Sequence, residues 1–180
     1  MKKSRFAAAI LLISFGAGAC SSSGKAATTP GTTSDIAGVQ SFTGLTRNHV
    51  DTPVSYPQSP PVGGDHSPVW QNCGVYDAPV KNENAVHSLE HGAVWLAYRP
   101  DLAGAEVAVI RKLAKNQTHV LVTPYEGLKE AVVATAWGKQ LRLDSVDDPR
   151  LTRFVSTYQE GPQTPELGVT CSGALGNPIQ

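Results

Sequence analysis

Apolar residues along this chain follow two spacings, and each spacing predicts a different kind of element. Near the C-terminus, four apolar residues recur three or four positions apart, which is typical of an amphipathic helix: Leu151, Phe154, Val155 and Tyr158. Asp148 and Pro149 precede them and favour a helix start, because Asp accepts bonds from free N–H groups and Pro suits the first helical position. A similar spacing predicts a helix over residues 103–115.

Shorter apolar runs predict strands on either side of the helix at residues 103–115. One run covers residues 93–98 and another covers residues 119–123. Strand, helix and strand in this order predict a right-handed crossover and a parallel strand pair. Residues 132–143 predict one long strand or two short strands, with a bulge or bend at Gly138.

The segment ahead of these elements has a different composition. Residues 47–69 are rich in Pro and Gly, which disfavour helix interiors and central strands. A long loop of this kind is typically either functional or disordered, and its polar and aromatic content favours function. The predicted fold class is therefore α+β: a small mixed sheet with two packed helices, in the order β-α-β-β-α, behind a proline-rich irregular N-terminal half.

The first twenty residues predict export. Three basic residues precede an uncharged apolar run over residues 6–15, which is far shorter than the roughly 20 residues of a spanning helix. This pattern is typical of a secretory signal peptide. Small residues followed by Cys20 also resemble a bacterial lipobox. That resemblance implies cleavage before Cys20 and a diacylglyceryl group on its sulfur, with plain secretion as the alternative.

These signals divide the chain into a signal peptide (residues 1–19), a lipid-anchored flexible linker (residues 20–41) and a single extracytoplasmic domain (residues 42–180). The predicted location is the outer face of the cytoplasmic membrane, in the cell envelope, with the lipid on Cys20 as membrane contact. Without the first nineteen residues the chain has 12 basic and 15 acidic side chains. This charge and the lack of a basic stripe exclude nucleic acid as a partner, and no feature identifies a protein partner.

The three cysteines, Cys20, Cys73 and Cys171, are an odd number for an exported protein. If Cys20 carries lipid, Cys73 and Cys171 are free to form a disulfide in an oxidising compartment. Two free thiols are the less favoured alternative, because buried thiols in exported proteins tend to oxidise. The predicted bridge would close a loop of 98 positions, for which chain-entropy estimates give about 4–5 kcal/mol of stabilisation.

The candidate chemistry lies in the segment ENAVHSLEHG, residues 83–92. On a short helix that Gly92 would end, His87 and His91 lie on one face, and this spacing allows two imidazoles to bind one metal ion. With Glu90 the pattern is H-x-x-E-H, the inverted zinc-protease signature. Five residues are too few to assign that function by themselves.

A metal site is the function that these residues favour most. The predicted ligands combine the short helix with the proline-rich loop: His66, His87, His91, Glu90 and His49. Histidine with carboxylate suits a divalent zinc or copper ion, whereas the presence of a single methionine excludes a methionine-rich Cu⁺ carrier. Asp65 is a further candidate ligand. His119 lies on a predicted core strand, where a structural role is favoured, and no catalytic residue is predicted.

Two alternatives stay open. One is a zinc hydrolase that uses Glu90 as general base and Glu160 or Glu166 as its third zinc ligand. The other is a structural or protein-interaction lipoprotein, in which each ring only holds a loop in place. Three ring nitrogens within reach of one point about 2 Å away would favour metal. Rings bonded to different backbone carbonyls would favour the structural role.

Five ordered motifs also resemble a known family. They are YPQSPPVGGDHSPVW (56–70), NCGVY (72–76), HSLEHGAVWLAYRPDL (87–102), ATAWG (134–138) and GPQTPE (161–166), the last of them shortly before Cys171. Over residues 46–171 the chain resembles the bacterial family called domain of unknown function 3105. The resemblance implies an exported or membrane-tethered single domain and supplies no catalytic residue, because no activity is established for the family. It also places six residues in the family's pattern: His66, His87, Glu90, His91, Cys73 and Cys171.

Overall fold

The computed structural model describes Met1 and residues 36–180, in which nine elements follow one another. They are β1 (Gln40–Ser41), β2 (Gly74–Val75), α1 (Asn82–Glu90), β3 (Val94–Tyr98), α2 (Gly104–Ala114), β4 (Val120–Pro124), β5 (Val132–Ala136), β6 (Lys139–Leu143) and α3 (Pro149–Tyr158). The predicted signal peptide and the predicted lipidation of Cys20 lie outside the described residues. Within the described part, no helix is both long enough and apolar enough to cross a bilayer.

The strands form one mixed sheet in the order β1-β6-β5-β3-β4-β2. β3 and β4 are parallel, as their separation by a helix predicts, and β5 pairs antiparallel with both β3 and β6. The fold class is α+β, as predicted. The edge strands β1 and β2 have two residues each, which is too short for any periodicity that sequence reasoning could detect.

β5 and β6 are two short strands that meet in a tight turn at Gly138. The φ angle of Gly138 is +66°, in the left-handed region that favours glycine. A Cβ atom here would also lie 2.8 Å from the carbonyl oxygen of Phe42, in the chain just after β1. The predicted bend at Gly138 is therefore confirmed, and a side chain at this position would disturb both the turn and its neighbour.

Alternate residues of β3 face two separate apolar clusters. Leu96 packs in one cluster with Ile110 of α2 and Phe154 of α3. Trp95 packs in the other cluster with Leu89 of α1, on the opposite face of the sheet. All five side chains are fully buried. The two predicted packed helices therefore share one face, while the short helix that carries H-x-x-E-H covers the other.

The helix starts differ in how they are capped. The side chain of Asp148 accepts a hydrogen bond from the backbone N–H of Arg150 at 2.9 Å, so the predicted cap of α3 is confirmed. The cap position of α1 is Lys81, whose side chain makes no capping bond. In the first turn of α1, Glu83 accepts hydrogen bonds from two loop residues instead: its side chain from the N–H of Val54 at 3.0 Å and its carbonyl from the N–H of Ser67 at 3.3 Å.

From residues 36–41 onward, the described chain contacts the core and the sheet. Ile36 is buried in the cluster that contains Phe154, and β1 pairs with β6. The folded chain thus includes residues 36–41, which lie within the predicted linker. The proline-rich loop, residues 47–69, contains no helix or strand beyond one isolated bridge between His49 and His66.

Candidate metal centre

Two segments of the proline-rich loop pair with each other and bring two histidines together. The backbone N–H of His66 donates to the carbonyl of Asn48 at 3.0 Å, and the N–H of Val50 donates to the carbonyl of His66 at 2.8 Å. The His49 and His66 rings consequently lie 5.0 Å apart, measured between centroids. The Asp65 carboxylate accepts bonds from the Asn48 backbone and side chain at 3.3 and 2.9 Å. Asp65 therefore binds the residue that precedes His49, and it is not among the described residues whose side chains could share a metal ion.

Buried polar side chains of α1 attach this loop to the helix. The Ser88 hydroxyl donates to the carbonyl of Gln71 at 2.6 Å, and the Asn84 amide donates to the carbonyl of Val69 at 2.6 Å. The same amide donates to the Ser67 hydroxyl at 3.1 Å. Ser88 and Asn84 are buried, so these bonds also satisfy groups that burial would otherwise leave without water. The loop is thereby held in register with His87 of α1 and with His91 at the C-terminal cap of this helix.

The C-terminal arm, residues 159–180, packs against the end of α1. The predicted disulfide between Cys73 and Cys171 is present, with a Cα–Cα distance of 5.4 Å. It joins the arm to the residue that directly precedes β2. The backbone N–H of Glu166 donates to the carbonyl of Glu90 at 3.0 Å. These two connections place the Glu166 side chain beside the C-terminal end of the helix.

The H-x-x-E-H pattern directs two of its side chains to opposite sides of His87. A helix turns about 100° per residue, so Glu90 lies about 60° to one side of His87 and His91 about 40° to the other. Glu90 reaches toward the loop, where its Oε2 lies 2.9 Å from Nε2 of His66. His91 reaches toward the arm, where its Nε2 lies 3.5 Å from Oε2 of Glu166. Polar side chains at the end of the helix thus face the loop on one side and the arm on the other.

The loop-side group consists of His49, His66, His87 and Glu90. Each residue offers one ligand atom, and these atoms lie within 4.8 Å of one another. His66, His87 and Glu90 are buried, whereas the His49 side chain is 46% exposed and forms the rim of the group. Four of the five predicted ligands are therefore brought together here.

The arm-side group consists of His87, His91 and Glu166, whose ligand atoms also lie within 4.8 Å of one another. Both histidines are buried, and the Glu166 side chain is 43% exposed. The fifth predicted ligand, His91, belongs here. Glu160, the other acid considered as a distant ligand, lies instead 3.4 Å from Nδ1 of His119.

Each buried histidine of the two groups uses one ring nitrogen to bind a backbone carbonyl. The bonds are His66 Nδ1 to Gly64 at 2.7 Å, His87 Nδ1 to Ser67 at 2.7 Å, and His91 Nδ1 to Thr170 at 2.8 Å. Because a carbonyl only accepts, Nδ1 must carry the proton, and the lone pair of the neutral ring is on Nε2. Metal-binding histidines are typically oriented by such a bond from their second nitrogen.

The structural criterion is met, because the rings bind different carbonyls. The ligand atoms also gather within 4.8 Å of one another, whereas two donors at about 2.0–2.1 Å from one ion lie no more than about 4.2 Å apart, so the metal criterion requires the side chains to move closer together. The criteria do not exclude each other because an imidazole has two nitrogens with different partners. The carbonyl bonds fix the rings, and the convergence of the remaining nitrogens is the feature that loop support alone does not require.

His66 and Glu90 face each other in an arrangement that calls for a cation. Nε2 of His66 is buried without a hydrogen-bond partner among the described residues, although Oε2 of Glu90 lies 2.9 Å away. With the proton on Nδ1, the Nε2 lone pair of a neutral ring points toward a carboxylate oxygen. Two acceptors this close repel each other in a buried environment. A proton or a metal ion between the two atoms would remove that repulsion.

The electrostatic environment keeps two of the rings in their metal-binding form. Burial lowers the pKa of His87 to about 4, and the neighbouring rings of His91, His66 and His49 act in the same direction. Burial also lowers the pKa of His91, despite the opposing effect of the Thr170 carbonyl. Both rings are therefore neutral at neutral pH, which is the state that a metal ion requires.

Several contributors left no signal that sequence reasoning could use. The carbonyls of Gly64, Ser67 and Thr170 act through the backbone, so their residue types do not indicate their role. Trp70 also lies beside His91, with ring centroids 4.8 Å apart. His119 donates a hydrogen bond from Nε2 to the carbonyl of Val169 at 2.9 Å, and the predicted structural role fits that contact.

Comparison with known proteins bears on the whole of this centre. No curated protein and no solved structure matches the chain. The model of one family, described as "Protein of unknown function (DUF3105)", matches residues 49–173. That range includes both ligand groups and both cysteines of the disulfide. Because the match covers more than half of the chain, the protein belongs to the DUF3105 family, as its motifs predict.

Proposed function

We propose that this protein binds one divalent transition-metal ion, Zn²⁺ or Cu²⁺, at the loop-side group. The observation that carries the proposal is the convergence of three imidazoles and one carboxylate within 4.8 Å. Two of these imidazoles, His66 and His87, are oriented by carbonyl bonds that leave Nε2 as the coordinating atom. Nitrogen and carboxylate donors in this number suit either ion.

The distances within the group support coordination after small side-chain movements. Donors bound tetrahedrally at about 2.0–2.1 Å from zinc lie about 3.4 Å apart. The Glu90 oxygen lies 2.9 Å from Nε2 of His66 and 3.8 Å from Nε2 of His49, so the two distances bracket that value. The exposed ring of His49 is the donor with most freedom to adjust.

The charge balance also supports a cation. Glu90 is almost fully buried, and a buried carboxylate needs a hydrogen bond or an opposite charge to offset its lost hydration. The His66 ring lies 2.9 Å from its Oε2, but the available nitrogen of that ring is an acceptor when the ring is neutral. A bound divalent ion would satisfy the carboxylate and the ring together.

The proposed role is binding, with the domain held at the cell envelope. Four protein donors fill a tetrahedral site, whereas a catalytic zinc site keeps one position open for water or substrate. The N-terminal signal and Cys20 support an exported protein tethered by lipid to the outer face of the cytoplasmic membrane. A tethered metal-binding domain is the function that fits both the predicted location at the membrane and the ligand group.

Metal content of the purified protein tests this proposal. After incubation with Zn²⁺ or Cu²⁺ and removal of free ion, we expect one ion per wild-type chain by elemental analysis. The double variant His87→Ala/His91→Ala should lose the ion because it removes donors from both groups. His119→Ala is the matched control, since this ring is buried but belongs to neither group, and it should retain the ion. Wild-type protein without metal would refute the proposal.

A zinc hydrolase is the second candidate, and one observation favours it. The arm-side group supplies the ligand set that this hypothesis needs, with Glu166 as the distant acid beside His87 and His91. Glu90 would then be the general base, although its carboxylate faces His66. Glu90→Gln separates the two functions: a hydrolase keeps its metal and loses hydrolysis of casein or nitrophenyl esters, whereas the loop-side site loses metal affinity.

A further inference from the structure

We infer that a bound ion has two adjacent positions in this protein, the loop-side group and the arm-side group, and that His87 is the ligand they share. The inference rests on the proposed function, because it concerns the same kind of ion. It adds a second site and a route by which the ion exchanges with the surroundings.

His87 occupies the centre of a cluster of four imidazoles. Its ring centroid lies 4.8 Å from that of His49, 4.9 Å from that of His66 and 4.6 Å from that of His91. The central place follows from the helix, since Glu90 and His91 diverge to either side of His87. A ligand in this place can contact an ion on the loop side or on the arm side with little movement of its own.

The two sides repeat one arrangement. On the loop side, His66 binds a carbonyl through Nδ1 and directs Nε2 toward the Glu90 carboxylate at 2.9 Å. On the arm side, His91 binds a carbonyl through Nδ1 and directs Nε2 toward the Glu166 carboxylate at 3.5 Å. Each side therefore has one oriented imidazole and one acid, with His87 between them.

Sharing limits the protein to one tightly held ion. Nδ1 of His87 is engaged by the Ser67 carbonyl, so only Nε2 is available, and its lone pair binds one ion at a time. Movement between positions is a ligand exchange without oxidation or reduction. The ion releases His49, His66 and Glu90 while it gains His91 and Glu166, and His87 coordinates it throughout.

The two positions differ in a way that assigns their roles. The loop-side group has four donors, whereas the arm-side group has three and leaves one coordination position open. The third arm-side donor, Glu166, is 43% exposed. An open position at an exposed acid is suited to exchange with an incoming chelating ligand. The arm-side group is therefore the exchange position, and the loop-side group is the holding position.

Copper(II) binding to variants of the full chain tests the second position. In His66→Ala the holding position is broken, and we expect one Cu²⁺ to remain with affinity at least about tenfold weaker than in wild type. Its electron paramagnetic resonance spectrum should show the two nitrogen donors of His87 and His91. In His66→Ala/His91→Ala this residual binding should disappear, whereas His66→Ala/His119→Ala should keep it.

Equal residual binding in His66→Ala and His66→Ala/His91→Ala would overturn the second position. This outcome differs from failure of the proposed function, in which wild-type protein itself binds no ion. Circular dichroism verifies that the variants are folded.

A second measurement does not depend on substituting a buried ring. In Glu166→Gln the equilibrium affinity for Zn²⁺ should stay close to the wild-type value, because the holding position is intact. The rate of zinc transfer to the chelator 4-(2-pyridylazo)resorcinol should fall at least about tenfold. Glu126→Gln, an exposed acid outside both groups, is the control and should transfer at the wild-type rate. A wild-type rate in Glu166→Gln would overturn the exchange role.

Discussion

The sheet and the histidine centre lie in one domain but are stabilised by different interactions. On the α2 and α3 face of the sheet, buried apolar side chains such as Leu96, Ile110 and Phe154 pack together. Around α1, the proline-rich loop and the arm are attached by hydrogen bonds from buried polar side chains, of which Ser88 and Asn84 are examples, and by a disulfide. The first region depends on apolar area removed from water, and the second on specific partners.

This difference explains how a loop can orient the side chains of a candidate metal site. Apolar packing is weakly directional, so it does not by itself fix the orientation of an imidazole. Hydrogen bonds to backbone carbonyls are directional, and each buried ring of the centre has one. The irregular half therefore positions donors more exactly than its lack of secondary structure suggests, provided that the arm and the loop stay attached.

Removal of the disulfide should have the largest effect, because it should lower the free energy of unfolding and also loosen the arm around the histidine centre. Cys73→Ala/Cys171→Ala opens a loop with a sequence separation of 98 and should lower the free energy of unfolding by about 4–5 kcal/mol. The arm should also loosen around Glu166, because Cys171 anchors it. Urea denaturation measures the first effect, and zinc transfer to a chelator measures the second. A loss below about 1 kcal/mol would show that the polar contacts hold the arm without the bridge.

A cavity in the sheet core should lower the free energy of unfolding while it leaves the candidate metal centre intact. Phe154→Ala should reduce the free energy of unfolding by about 3–5 kcal/mol, because the ring is fully buried. Metal content of the folded fraction should stay at the wild-type level, since Phe154 packs on the face opposite α1. The control Leu167→Ala, with a side chain that is 61% exposed, should change stability by no more than about 0.5 kcal/mol.

Loss of metal from folded Phe154→Ala protein would contradict this separation of the two regions. Calorimetry of the loaded and metal-free variants would detect it directly, because a bound ion adds stability only to the state that binds it.

Mild acid should weaken the histidine centre of the metal-free protein. The pKa of His87 is about 4 in the folded protein and 6.5 as its ordinary value, so between these values the unfolded chain binds a proton that the folded chain does not. Stability should therefore fall as the pH falls from 6.5 toward 4, by roughly 3 kcal/mol at most. Burial of His91 acts in the same direction.

Denaturation of metal-free protein at several pH values measures this loss, with His87→Gln as the comparison. The variant lacks the titrating ring, so its stability should depend less on pH over the same range. An identical pH dependence in both proteins would place the effect in other groups.

Much of the fold could be predicted because its elements repeat. The spacing of Leu151, Phe154 and Tyr158 indicates α3 before any contact is known, and the order of apolar runs indicates the parallel pair of β3 and β4. A helix or strand that buries one face needs apolar residues at a regular spacing, whichever partner covers that face. This spacing can be detected in the sequence. The two-residue strands β1 and β2 show no such spacing. They form because they pair with β6 and β4, not because of their own composition.

The sequence by itself determined the donors and the helical spacing that separates Glu90 and His91 on either side of His87. Only the tertiary structure decided which partners these side chains meet: His66 on the loop side and Glu166 on the arm side. The reason is that non-local hydrogen bonds, above all those to the carbonyls of a loop and an arm, choose partners by position in space. Such bonds depend on the backbone, which every residue has, and therefore leave no pattern in the order of the side chains.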